Sequence, residues 1–149
     1  MYNPAITQNN KTAVASALTN PVLWIVFTGY ILLLGWTGAH HELWGDEIHS
    51  WNIARASTSF SSLLENVRYE GHPPAWHTLL WFISRCTDNL VYVQVAHELI
   101  AALVVFILLF FSPLPLIAKM LIPFGYYFLF EYAVLDRDYS IGVLAAFCL

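Results

Sequence analysis

The sequence is poor in charge, and poorest in positive charge, with six lysines and arginines among 149 residues. Charged residues make up 11% of the chain, against about 25% in a soluble domain. Nucleic acid needs a clustered basic surface, and a net charge of -4 with scattered cations argues against that partner. There is no polybasic stretch for anionic lipid either. Only two cysteines occur, Cys86 and Cys148, and no CxxC spacing, which speaks against a zinc knuckle or thioredoxin-type site. They are expected as inert thiols, with a Cys86–Cys148 disulfide as the alternative. A removable signal peptide is not expected: the first 20 residues are polar, and no small-residue cleavage site ends the apolar stretch that follows. No internal repeat or low-complexity segment is found.

What is present is apolar, at 58% of the residues, and it comes in long runs rather than in alternation. This composition predicts an all-α, multi-pass transmembrane bundle. Residues 21–39 carry no charge and approach the roughly 30 Å hydrocarbon thickness, with Pro21 suited to a helix start. Residues 90–111 make a second spanning helix, and 116–135 a further one. Residues 75–84 are apolar but short. The chain then enters an apolar run, 141–149, of nine residues where about 20 are needed to span, so a truncated reading frame or fragment is expected.

The polar stretch 40–72 holds Glu42, Asp46, Glu47, Glu65 and Glu70, five of the ten acidic residues. It keeps helical periodicity. Phe60, Leu63, Leu64 and Val67 form one apolar face, Ser62 and Glu65 have capping-box spacing, and 47–57 suggests another short helix. Short interfacial helices in a first extracytoplasmic loop fit this pattern. The loop is placed outside and residues 1–20 in the cytoplasm; the side on which 131–139 lies is left open.

Several polar groups can carry chemistry. Asp46 and Glu47 are adjacent carboxylates at a membrane interface, where desolvation can make a general base; helix-start acids complementing a dipole are the plainer reading. His40, His41, Glu42, Asp46 and His49 are a candidate metal set, weighed against solvated interfacial histidines. The HExxH pattern fails at His41-Glu42 and at His97-Glu98. His77, His97 and Glu98 lie within apolar helices, where ionisable residues are functional candidates. Arg137 is offered either a structural ion pair with Glu131 or Asp136, or a phosphate.

Three of these motifs, taken in order, resemble the C-type (GT-C) membrane glycosyltransferases, in the branch of protein O-mannosyltransferases, aminoarabinose transferases and bacterial Rgt-like transferases. They are Trp44-Gly45-Asp46-Glu47-Ile48-His49-Ser50-Trp51, Gly71-His72-Pro73-Pro74-Ala75-Trp76-His77, and Phe130-Glu131-Tyr132-Ala133-Val134-Leu135-Asp136-Arg137-Asp138-Tyr139-Ser140. The resemblance covers nearly the whole chain, as the N-terminal part (21–149) of a longer enzyme. It implies sugar transfer from a polyprenyl-phosphate donor to an acceptor glycan, lipid or protein hydroxyl, with inversion, outside a bacterial inner membrane. It makes Asp46 the base and gives Glu47 the task of orienting the acceptor or holding the pKa of Asp46. His72 and Arg137 would bind the donor phosphate, and Trp44, His49, Glu131 and Tyr139 the substrates. Trp51 and Trp76 join Trp44 as candidates for stacking on sugar or anchoring at the interface. No cofactor is required by the sequence, although some members of the family use a divalent metal. Two other readings stand beside it: a non-catalytic subunit or truncated paralogue, and a transporter or metal-handling protein using His77, His97 and Glu98.

Overall fold

A computed structural model describes residues 12–148. The expected N-terminal segment 1–20 therefore lies outside the described residues over 1–11, as does the last residue of the apolar run 141–149. The described residues are helical, with no strand among them.

Among the described residues, two helices are long and apolar enough to cross a membrane. Helix α1 (Pro21–Ala39) begins where Asn20 Oδ1 accepts the Val22 N–H at 2.9 Å, with Pro21 in the first position, where an N–H would have no partner. Leu23, Val26, Tyr30 and Leu34 are its buried stripe. Outward, Ile25 and Leu32 are each about 70% exposed (71% and 70%), and Trp36 is 66% exposed, an apolar face with no protein cover. Three short helices follow: α2 (Gly45–Ala56), α3 (Phe60–Asn66) and α4 (Ala75–Cys86). Helix α5 (Val91–Phe111) then packs on α1 through Ala101, Val105 and Leu109.

Helices α2, α3 and α4 share a second core of Trp51, Ala54, Leu63, Val67, Trp76 and Leu80, completed by Val93 at the start of α5. Polar bonds fix this layer. Arg85 of α4 donates to the carbonyl of Arg55 at 2.9 Å, capping the end of α2, and the Trp81 indole donates to Ser57 O at 2.9 Å. At 12 residues, about 18 Å, α4 is too short to cross a bilayer. The expected capping box at Ser62 and Glu65 is not formed; Ser59 caps α3, its hydroxyl accepting the Ser62 N–H at 3.1 Å from an extended backbone. Of the expected apolar face, Leu63 and Val67 are buried, whereas Phe60 and Leu64 are exposed.

The expected single helix over 116–135 is not formed. Helix α6 (Leu116–Leu121) runs into a 3-10 turn (Ile122–Phe124), Gly125 is extended, and a π-helical turn (Tyr127–Glu131) follows. Pro123 supplies no N–H and excludes a full α turn around itself, which explains the break. The Tyr132 N–H reaches Tyr127 O at 2.7 Å, an i→i+5 bond. This irregular segment climbs back along α1 and α5. The Tyr30 hydroxyl donates to Phe128 O at 2.9 Å; further along, Ala133 and Asp136 meet His97 and Glu47. Helix α7 (Tyr139–Phe147) then packs beside α5. The 131–139 stretch thus lies at the same end of the molecule as the 40–72 loop. Cys86 and Cys148 are both free thiols and exposed, so the alternative of a disulfide between them is not realised.

Candidate functional site

The first turn of α2 sets two carboxylates to different tasks. Asp46 and Glu47 are consecutive and so point about 100° apart around the helix. Asp46 points out, its side chain 75% exposed, and Glu47 points in, its side chain 2% exposed. Glu47 is fully engaged. Its Oε2 accepts the Trp44 N–H at 2.5 Å, the half of a capping box in which a third-position glutamate reaches back to the cap. Its Oε1 accepts the Asp136 N–H at 2.5 Å, a partner 89 positions away. His41 Nε2 sits 3.1 Å from both oxygens. Glu47 therefore ties the start of α2 to the 133–138 turn rather than facing open space. His41, side chain 6% exposed, is not the solvated histidine expected; it donates to this carboxylate.

Asp46 faces Arg137, with 3.5 Å between Oδ2 and the guanidinium. Arg137 pairs with neither partner the sequence suggested. Glu131 accepts instead from the Tyr126 hydroxyl at 3.0 Å, and Asp136 turns inward to His97 at 3.3 Å. The guanidinium also lies over the Tyr139 ring, 5.2 Å from its centre, a cation–π contact that holds it to one side.

The Asp46–Arg137 pair stands between two clefts. One, of about 260 Å³, is lined by both residues together with His49, Glu70, His72, His77 and Asp138. The other, of about 130 Å³, is lined by both residues together with Trp44, Glu47, Tyr126, Glu131 and Leu135. Asp46 and Arg137 are shared by the two. In the larger cleft His72 Nδ1 lies 3.4 Å from Asp138 Oδ2, and His49 Nε2 lies 3.4 Å from Glu70 Oε1. His72 is delivered there by Gly71, whose φ of 75° lies in the left-handed region that glycine enters without strain. Burial holds the His77 imidazole below its ordinary pKa, which favours the neutral ring, and neither ring nitrogen has a partner among the described residues. The smaller cleft is walled by exposed aromatics, Trp44 at 58% and Tyr126 at 61%.

The structure brings together Trp44, Asp46, Glu47, His49, His72, Glu131 and Arg137 around the clefts, with Tyr139 in contact through the Arg137 guanidinium. Glu70, Tyr126 and Asp138 were not singled out from the sequence, nor was Asp136 given a site role. The carboxylates either side of Arg137 and the Tyr126-Tyr127 pair were the available signals. Asp136 is buried, and its carboxyl is pushed up to about 8, chiefly by burial and then by the charges of Glu47 and Glu98. Glu98 rests against Gly38 of α1, where a Cβ would collide with its carboxylate.

His40, Glu42, Asp46 and His49 do not converge with His41. Among the described residues, no three His, Cys, Asp or Glu side chains are arranged to hold a metal ion. Comparison with models of known protein families, with curated proteins and with solved structures finds no match.

Proposed function

We propose that this chain carries the catalytic end of a membrane glycosyltransferase, moving a sugar from a polyprenyl-phosphate donor to an acceptor hydroxyl on the non-cytoplasmic face of a bacterial inner membrane. The observation that carries the reading is the position of the Asp46–Arg137 pair between two clefts, as the residues common to both. Group transfer needs two substrates to meet at one proton acceptor, and a carboxylate standing between two binding spaces meets that need. The order of the Asp-Glu, His-Pro-Pro and Glu-Tyr motifs along the chain supports the same reading. So do the apolar outer face of α1 and a second helix of spanning length, which suit a multi-pass bundle with 40–72 outside.

The donor's phosphate takes the larger cleft, beside Arg137 and His72, and the acceptor takes the aromatic-walled cleft. The acceptor oxygen attacks the anomeric carbon, and its proton passes to Asp46. The bond from that carbon to the phosphate oxygen breaks, and the phosphate leaves with the electron pair, which inverts the anomeric centre. Arg137 meets the charge that develops on the leaving phosphate. Its planar fork suits a phosphate, and its place over Tyr139 orients it before the reaction. Glu47 serves as a positioning residue: its bonds to Trp44 and Asp136 set the first turn of α2, and hence Asp46, against the Arg137 turn.

The test is sugar transfer by the full chain in proteoliposomes loaded with radiolabelled polyprenyl-phosphate sugars. Arg137→Ala is expected to lower the rate by about 10² to 10³, the usual cost of one transition-state donor, and Arg137→Lys to recover part of it. A rate unchanged in Arg137→Ala would remove the phosphate-binding role.

A further inference from the structure

His97 is fully buried in α5, away from both clefts, yet three oxygens converge on its two ring nitrogens. Nδ1 lies 3.2 Å from Ala133 O and 3.3 Å from Asp136 Oδ1, and Nε2 lies 3.1 Å from Arg137 O. A neutral imidazole has one N–H and one lone pair. A neutral ring facing an ionised Asp136 would therefore turn a lone pair toward oxygen on one side. With both ring nitrogens carrying hydrogen and Asp136 as the counter-ion, all three oxygens face an N–H; with the proton on Asp136 instead, donated to Nδ1 while Nε2–H donates to Arg137 O, the Ala133 carbonyl alone is left without a donor. In both, one proton lies between Nδ1 and Oδ1, and the pair has no net charge.

We propose that His97 and Asp136 hold one buried proton between them and together form a clamp that positions Arg137. The clamp grips the turn on both sides. His97 holds the carbonyls of Ala133 and Arg137 from α5, and Glu47 holds the Asp136 N–H from α2. Arg137 leaves this turn toward Asp46 and is set by it. Losing the proton would strand a net negative charge beside Glu47, whose carboxylate already faces His41, and near Glu98 on the same helix; Trp76 closes the remaining side with its ring 5.3 Å from the imidazole. Arg137 and Asp138 face the clefts, and Tyr139 and Ser140 continue into α7. Asp136 Oδ2 is buried with no partner among the described residues, which an ionised carboxylate tolerates poorly. The raised carboxyl of Asp136 agrees with this and sets the expected release near pH 8.

The inference concerns the resting protein and stands whether or not the transfer reading does. Its test uses the full chain in nanodiscs with ¹⁵N-labelled histidine and arginine and no substrate. In wild type, the His97 ring ¹⁵N signals are expected to stay constant up to about pH 8 and then shift as the neighbouring proton is lost, and the Arg137 Nε–H to be resolved below that pH and solvent-averaged above it. In Asp136→Asn, the amide N–H donates to neutral His97, so the Arg137 signal stays resolved and the pH step disappears. In Asp136→Ala the signal is averaged at every pH. A packing role for these residues predicts instead that both variants keep the wild-type pH step, which would overturn the clamp, as would an Arg137 signal that none of these changes moves. Should Asp136→Ala not fold, His97→Gln is expected to leave the Arg137 signal averaged at every pH, because the Ala133 and Arg137 carbonyls lose the imidazole that holds them, and a resolved Arg137 signal in that variant would overturn the proposal equally. Loss of transfer with these spectra intact would count against the proposed function alone.

Discussion

Glu47→Ala removes a buried carboxylate that ties the start of α2 to the 133–138 turn. The carboxylate is buried, and it accepts from two backbone N–H groups and one imidazole drawn from two separate stretches of chain, 41–44 and the 133–138 turn. Removing it leaves the Trp44 and Asp136 N–H groups and the His41 ring without their acceptor in a largely buried space beside the smaller cleft. Each unmet donor costs about 1–3 kcal/mol, and the three share one carboxylate, so their costs do not simply add. About 3–5 kcal/mol is therefore expected, which for a chain of this size lowers Tm by roughly 6–20 °C. Glu47→Gln keeps one acceptor oxygen but turns an NH2 group toward a donor, so an intermediate loss of about 1–3 kcal/mol is expected. Thermal unfolding in a mild non-ionic detergent, followed by circular dichroism, reads both. The reasoning is refuted by a Glu47→Ala protein that melts with wild type, because three donors cannot lose a buried acceptor without cost.

Three further outcomes follow from the geometry. The His97–Asp136 pair binds one proton when folded up to about pH 8, whereas the unfolded pair loses its last proton near the ordinary histidine value of about 6.5. The folded state thus binds more protons between those values, and stability falls as pH rises from about 6.5 through 8, by about 2 kcal/mol in total, a decline that Asp136→Asn abolishes in pH-stepped melts. Gly38→Ala places a Cβ on the Glu98 carboxylate, the far end of a flexible side chain that can swing aside, so a loss below about 1 kcal/mol is expected; a double-mutant cycle with Glu98→Ala should show coupling, and strictly additive effects would deny the contact. Cys86 and Cys148 are exposed thiols, so mass spectrometry after maleimide treatment of the folded chain should show two additions, and none would indicate a bond between them.

The sequence made some of this architecture readable and hid the rest for physical reasons. Helices α1 and α5 were legible because an uncharged apolar run of spanning length has few other uses. The start of α4 was legible because consecutive prolines cannot sit inside a helix. The break within 116–135 was missed because the segment is apolar throughout, and Pro123 with Gly125 was the available signal. The site was legible as residue types, since Asp46, His72 and Arg137 stand out against an apolar background. Their pairing was not. Arg137 has two acidic neighbours in sequence, yet it reaches Asp46, while Asp136 is drawn inward by His97 and Glu47. Only the climb of the irregular segment back along α5 decides between those partners, and no local pattern encodes it. Glu47 was cast as orienting the acceptor or holding the pKa of Asp46; its bonds to Trp44, His41 and Asp136 at the start of α2 were not legible.

The decisive experiment for the transfer reading is a comparison of wild type and Asp46→Asn in vesicles carrying a polyprenyl-phosphate sugar, with the released polyprenyl phosphate and the anomeric form of the product both measured. Asp46 is exposed and its side chain supports no buried contact, so the substitution should leave the melting curve in place. The account predicts an inverted product from wild type and a rate at least about 10² lower in Asp46→Asn, the scale of a lost general base. Transfer by Asp46→Asn at the wild-type rate would contradict it.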